Sequence, residues 1–370
     1  MAQRTPLMSG HARRMSTLVP RRMPRASGRA RRMSTLVAAY SQHGEPADVL
    51  RLVRRPRLEA PAGTHVVVRM LRAPVNPSDV NMIQGVYPRL PALPAVGGGE
   101  GVGEVLRVGG AVRSLREGDL VISASQTLGT WRTHLACDER DLLRIPPVVG
   151  LAEAATLAVN ACTAVRLLED FGPLAAGDTV IQNGANGGCG RAVIQVAAAR
   201  GIRTVNVVRE RVGFEALAAE LRELGADAVV SDHVLGTPEL DAALAEQRLP
   251  APRLGLNCVG GRNGALLAQA LGPGGTMVTY GGMSGKPLMV ATAAMLFSDV
   301  TLRGFWLSRW IEQHGADERS AMIDGLLPLL AEGSLRCSGT REVALSELGA
   351  DAGLAQLIDG GVKLMLNLEQ

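Results

Sequence analysis

Paired cysteines are missing from this chain. Cys137, Cys162, Cys189, Cys258 and Cys337 are scattered through 370 residues with no CxxC spacing, which argues against a zinc knuckle or a disulfide framework. Long apolar runs are missing too. Hydrophobic residues make up 46% of the chain, yet no run reaches the roughly 20 residues that cross a membrane, so a soluble, globular chain without an integral membrane segment is expected. Lysine is nearly absent, with only Lys286 and Lys363 beside 37 arginines. Acid is absent from the start of the chain, where Glu45 is the first acidic residue. Residues 1–37 hold nine arginines, and without them 30 basic residues face 35 acidic ones, a net charge of −5. The formal charge of +4 is therefore a property of the leader. The body is mildly acidic, and a nucleic-acid role loses its main electrostatic support.

That leader is rich in Arg, Ser and Met, the composition of a mitochondrial transit peptide, and residues 1–32 are assigned to one. It contains a repeat: Ala12–Val19 and Ala30–Val37 both read ARRMSTLV. A mitochondrial matrix location is expected, or a cytoplasmic one if translation starts at Met33.

The richest stretch is DTVIQNGANGGCGRAVIQVAAARGIRTVNVVRER, Asp178–Arg211. A short apolar strand runs into a turn crowded with Gly184, Gly187, Gly188 and Gly190. A helix and a second strand follow. Glycine lets backbone N–H groups approach a pyrophosphate closely, and the helix N-terminus suits the phosphates. In NAD binders the end of the second strand carries an acid for the ribose 2′-hydroxyl. Here Arg209, Glu210 and Arg211 stand there. A guanidinium suits a 2′-phosphate through charge-assisted bonds, so NADPH is expected rather than NADH.

Around this loop the chain changes character twice. Leu36–Tyr40, Val49–Val53, Thr64–Ala73 and Glu100–Val108 read as strands, Asn76–Gln84 as a polar loop that starts a short helix, and Arg116–Ile122 as a turn feeding a strand. This half is mostly β. Strands at 179–182, 204–208, 228–231, 254–257, 276–280 and 300–303 then alternate with helical stretches at 188–200, 213–224, 237–246 and 262–271, as a parallel sheet requires. A helix near 316–332 and a strand at Lys363–Leu368 complete the pattern.

A β domain, a Rossmann domain and a returning tail resemble the medium-chain dehydrogenase/reductase superfamily. Within it the chain is most similar to the mitochondrial enoyl-[acyl-carrier-protein] reductases, also called trans-2-enoyl-CoA reductases. The segments that carry this are PVNPSDVNMIQGVYP (Pro74–Pro88), LPAVGGGEGVGEV (Leu93–Val105), LGTWRTH (Leu128–His134), AATLAVNACTA (Ala154–Ala164), LNCVGG (Leu256–Gly261), GGTMVTYGGM (Gly274–Met283) and LRGFWLSRW (Leu302–Trp310). The resemblance implies an α/β fold: a GroES-like, β-rich catalytic domain (33–160 and 306–370) and a doubly wound Rossmann domain (161–305). Zinc-dependent members carry Gly-His-Glu where this chain has Gly98-Gly99-Glu100, so the metal-free branch is the better fit and no metal is expected.

The implied reaction is NADPH-dependent reduction of a trans-2-enoyl thioester, on acyl-carrier protein or CoA, in mitochondrial fatty acid synthesis. It needs a hydride at C3, stabilisation of the enolate oxygen and a proton at C2. The resemblance points to Tyr87 for the proton or the enolate. A phenol is protonated at neutral pH, and only Tyr40, Tyr87 and Tyr280 exist. It also implies cofactor contacts at Asn160, Asn186, Gly187, Gly188, Cys189, Arg209, Glu210, Arg211, Tyr280, Gly281, Gly282, Met283, Phe305, Trp306, Leu307 and Lys363. Asn160 is placed at a helix start, with an amide for the nicotinamide or its ribose. Phe305 and Trp306 are placed as walls of the nicotinamide and acyl pocket. Lys363 is a candidate phosphate ligand, because a lysine in so arginine-biased a chain is less readily an accident of composition. Gly99 and Gly187 stand where the relatives carry larger residues, which bears on substrate preference. A homodimer through the Rossmann sheets is implied, with Arg89, Arg303 and Arg309 offered to an acidic carrier protein. The competing readings are an NADPH:quinone oxidoreductase of the same branch and a non-catalytic NADPH-binding coregulator.

Overall fold

Residues 34–147, 149–348 and 362–369 are described by a computed structural model of the chain. The expected transit peptide and the first copy of the ARRMSTLV repeat lie outside them. The strands are β1 (Thr35–Tyr40), β2 (Arg51–Arg55), β3 (His65–Pro74), β4 (Ala95–Val96), β5 (Val102–Val108), β6 (Leu120–Ser123), β7 (His134–Asp138), β8 (Leu142–Ile145), β9 (Thr179–Asn183), β10 (Arg203–Val208), β11 (Ala228–Ser231), β12 (Leu254–Asn257), β13 (Thr276–Thr279), β14 (Thr301–Gly304), β15 (Thr340–Ala344) and β16 (Lys363–Asn367).

The first half makes a small sheet, β2-β1-β4, and, with the last two strands, a larger one, β15-β16-β3-β5-β6-β8, with β7 also paired to β3. The second half makes a six-stranded sheet in the order β11-β10-β9-β12-β13-β14, parallel throughout. Its central strands are apolar because helices cover both faces, as a doubly wound sheet requires. The order reverses between β9 and β12, and the crevice outside their carboxyl ends is where such sheets bind ligands. All six strands expected from the apolar runs are present, as are helices at Gly188–Ala199, Phe214–Glu223, Pro238–Glu246 and Gly261–Gln269.

The structure departs from the sequence reading in four places. Pro46–Val49 turns helical first, so the strand expected from Val49 begins at Arg51. The polar stretch after Pro74 is a full helix, Pro77–Gln84. Asn76 caps it and Asp79, at its third position, bonds back to the Asn76 N–H, a reciprocal cap that stops the helix fraying. The helix near 316–332 is two, Ala316–Asp324 and Leu327–Ala331, with Pro328 starting the second because it cannot donate to the first. Finally, Leu151–Glu169 forms one 19-residue helical run whose length and mean hydropathy of 1.3 suit a membrane span, although no such run was expected. More than half of it is buried. Leu157, Ala161, Val165 and Leu168 pack into a core that also takes Leu71, Val102 and Ile122 from the first sheets and Val180, Val193 and Leu254 from the parallel sheet. It is the helix on which both sheets rest, and that shared core holds the cleft between them.

Candidate active site

The glycine loop lies where the strand–turn–helix pattern puts it, between β9 and the Gly188–Ala199 helix. Its glycines have different reasons. A Cβ at Gly190 would sit 2.6 Å from the Ala185 carbonyl oxygen and 2.7 Å from its Cα, so only glycine lets this helix close on its strand. Gly187 has φ −74°, and its added Cβ would meet only the Gly184 oxygen, at 3.3 Å. Gly190→Ala should therefore cost about 1–3 kcal/mol through overpacking and weaken NADPH binding, whereas Gly187→Ser should leave both near wild type. Thermal unfolding and NADPH titration check this, and equal losses in the two variants would refute the packing argument. Asn186 is fixed from below: its carbonyl accepts from Arg191 Nε at 2.9 Å, and Arg191 also bonds Glu220 and Ser338.

Arg209, Glu210 and Arg211 are exposed just past β10, and the Glu210 N–H donates to Asp232 Oδ1 at 3.0 Å. The turn from Tyr280 through Gly281 and Gly282 to Met283 leaves the carboxyl end of β13. It is tied to the turn after β12 by Tyr280 N–H to the Asn257 oxygen and Met283 N–H to the Cys258 oxygen, both 2.9 Å. The Tyr280 hydroxyl bonds the thiols of Cys189 and Cys258; burial first, then the thiols' charge, raises it well above the ordinary phenol value. Burial likewise pushes the Cys189 thiol up to about 12. Phe305 packs edge-on against Phe171 at 5.9 Å. Leu307 is buried in the core.

Tyr87 meets Trp306. The indole N–H donates to the phenol oxygen at 2.8 Å, with the rings at 78° and 6.0 Å apart. Ser308, which also bonds Gln126, touches the same phenol, and burial is the main force raising the phenol above its ordinary value, with Asp79 adding to it. An indole N–H only donates, so it occupies a lone pair of the oxygen and leaves the phenol proton aimed elsewhere. Burial favours the protonated, proton-giving form, while the bonds from Trp306 and Ser308 pull the other way and only partly offset it.

Behind the cleft lies a buried polar cluster. Asp79 accepts from the Asn76 and Gly99 N–H groups at 2.7 and 2.8 Å. Glu100 accepts from Asn76 Nδ2 and Asn160 Nδ2 at 2.8 and 3.1 Å and from the Val159 N–H at 2.8 Å. Lys363 Nζ donates to Asn76 Oδ1. Both carboxyls are buried, Glu100 completely. Burial raises Asp79 to about 6 against the pull of its N–H donors and Lys363, and raises Glu100 to about 7 against Lys363, Asn76 and Val159. Lys363 thus stands as counter-cation to two carboxyls, at the edge of the cleft lined by Asn160, Gly188 and Cys337. Asn160 does not start a helix. It lies inside the Leu151–Glu169 run, in a π-turn spanning Leu157–Ala161, a local widening that is frequent at functional sites. Asp79, Glu100 and Arg191 were absent from the candidate residues. The usable signal for Glu100 was a single acid inside the glycine run 97–101, a place with no solvated face. Among the described residues no group of three or more His, Cys, Asp or Glu side chains is placed to hold a metal ion.

A GroES-like sheet and a six-stranded parallel sheet meeting at a glycine loop define a medium-chain dehydrogenase/reductase. Residues 62–147 match the alcohol dehydrogenase GroES-like domain, and residues 188–325 match the family described as zinc-binding dehydrogenase. The mitochondrial enoyl-[acyl-carrier-protein] reductase of Mus musculus is 47% identical over 331 residues, spanning 90% of this chain and 86% of that one. The solved complex of Etr1p with NADP and crotonyl-CoA superposes with a TM-score of 0.83 at 30% identity, over 90% of this chain and 100% of that one. The mitochondrial 2-enoyl thioester reductase Etr1p/Etr2p heterodimer from Candida tropicalis gives the same TM-score, identity and coverage. The chain belongs to the mitochondrial enoyl-[acyl-carrier-protein] reductase family.

Proposed function

We propose that the protein reduces trans-2-enoyl thioesters to saturated acyl thioesters with NADPH, in the fatty acid synthesis of the mitochondrial matrix. The observation that carries this is the Tyr87 phenol, held at its oxygen by Trp306 on the fold of a relative solved with NADP and crotonyl-CoA. NADPH supplies a hydride for C3 when bound. The chain's own groups do the rest. The glycine loop and the helix N-terminus at Gly188 take the pyrophosphate, Arg209 and Arg211 the 2′-phosphate, and Lys363 with Asn160 the inner end of the cofactor. The Tyr280–Met283 turn and residues 305–307 close its sides. Tyr87 hydrogen-bonds the thioester oxygen as negative charge develops there, or gives its proton to C2. The division into a catalytic part (33–160 with 306–370) and a cofactor part (161–305) follows this assignment of roles.

The test is loss of NADPH absorbance with crotonyl-CoA and, separately, with quinones. Turnover of the enoyl thioester supports the reading; reduction of quinones alone replaces it with a quinone reductase, and NADPH binding without turnover replaces it with a non-catalytic binder. Replacing Arg209 and Arg211 together with alanine should weaken NADPH about a hundredfold, since each charge-assisted bond to a phosphate is worth about tenfold or more. NADH, lacking that phosphate, should be little affected, and parallel losses for both cofactors would move the 2′-phosphate site elsewhere.

A dimer is proposed through the β14 edge. Every residue of β14 is exposed, and Leu302 with the neighbouring Leu296 and Phe297 leaves apolar surface there, as an edge that pairs with a second sheet would. For an acidic carrier protein the proposed contact is Arg309, which is exposed. Arg89 is already paired with Glu312, and Arg303 lies over the Phe171 ring.

A further inference from the structure

The polar cluster fixes which way the Asn160 amide faces. Lysine has donors only, so the Asn76 atom it meets is the carbonyl oxygen, and Asn76 Nδ2 must face Glu100. Asn160 Nδ2 faces two acceptors, Glu100 Oε1 at 3.1 Å and Asn76 Oδ1 at 3.3 Å. Turning this amide over would set its oxygen against both. Asn160 Oδ1 is therefore held on the opposite side, toward the glycine loop: a Cβ on Gly188 would come within 3.0 Å of it and within 3.4 Å of Lys363 Nζ. The second Glu100 oxygen takes the Val159 N–H from inside the same π-turn, so one carboxylate sets both the backbone and the side chain of this corner.

We propose that Glu100 is a positioning residue that makes Asn160 a hydrogen-bond acceptor toward the cofactor, so that the site selects a donor there, a hydroxyl or carboxamide N–H on the nicotinamide half of NADPH. This rests on the NADPH reading above and adds to it a polarity and the residue that imposes it.

The experiment is a fluorescence titration of NADPH, without substrate, on the full chain and on Glu100→Gln, Asn160→Asp and the double variant, each checked by thermal unfolding. Glutamine puts an N–H₂ among three donors, and aspartate puts a second negative oxygen against Glu100. Each single change should raise Kd about tenfold or more. In the double variant amide and carboxylate have changed places, so its loss should fall short of the product of the single losses by about tenfold. Losses that simply multiply overturn the proposal. Where Glu100→Gln does not fold, Asn160→Leu fills the same space without an acceptor and should weaken NADPH about tenfold; unchanged affinity overturns the proposal as well. An NADPH analogue with an acetyl group for the carboxamide separates the two donors: it abolishes the Asn160→Leu effect if the carboxamide is bound and preserves it if a hydroxyl is. A wild-type protein that binds no NADPH removes the underlying reading instead.

Discussion

Tyr87→Phe should lower kcat for crotonyl-CoA reduction by about 10²–10⁴-fold, the range that a positioned proton donor supplies, and leave the NADPH dissociation constant unchanged. The substitution removes one oxygen and keeps the ring. The edge-on contact with Trp306 survives, so the loop that carries residue 87 keeps its packing. What is lost is the hydroxyl that the indole N–H and Ser308 orient. The phenol is already raised by burial, so its proton is in place throughout neutral pH, and wild-type kcat should show no fall between pH 6 and 8 attributable to this group. NADPH titration beside steady-state kinetics checks both parts. A variant that turns over like wild type would leave Tyr87 as a packing aromatic, and a matching loss of NADPH affinity would make its role one of cofactor binding.

Lys363→Met should destabilise the protein by about 3–5 kcal/mol above neutral pH, the range measured when one partner of a buried charge group is removed. Methionine matches the stem of lysine but brings no charge to Asp79 and Glu100. The direction with pH follows from linkage. In the folded protein both carboxyls stand above their ordinary values, at about 6 and about 7, so the folded state binds protons that the unfolded chain has released. The stability this contributes is complete below the unfolded carboxyl range and is lost as pH rises through those two values. Without the ammonium both carboxyls are raised further, and ionising them costs more. The gap in Tm between variant and wild type should be wide at pH 8 and narrow near pH 5. A gap that does not change with pH would mean that Lys363 does not serve as their counter-cation.

Much of this was legible in the chain because repeating physical constraints wrote it there. The central parallel strands are short apolar runs, since helices bury both faces, and all six were placed to within a residue or two. The glycine loop announced itself because a helix that closes so tightly on the turn before it leaves no room for a Cβ at Gly190. Lys363 stood out against 37 arginines. The polar cluster was not legible, because its members come from four separate segments and bond across as many as 287 residues of sequence. Asp79 reads locally as a helix cap, which it is, and nothing in NPSDVN says that Gly99 donates to its other oxygen. Asn160 was placed at a helix start because asparagine is a good cap; the π-turn that holds it inside a helix depends on Glu100, nearly 60 residues upstream. The long helix escaped notice because Glu153 and Arg166 interrupt its apolar run.

The strand that carries Lys363 is the last one described, yet it lies inside its sheet, between β15 and β3. Asp79 and Glu100 are made early in synthesis, and their cation at position 363 follows Glu100 by 263 residues. Until then the nascent chain can bury those two acids only by keeping them protonated, as burial already favours. A chain clipped upstream of β16 therefore keeps its glycine loop in sequence but lacks the cation that stands against Asp79 and Glu100.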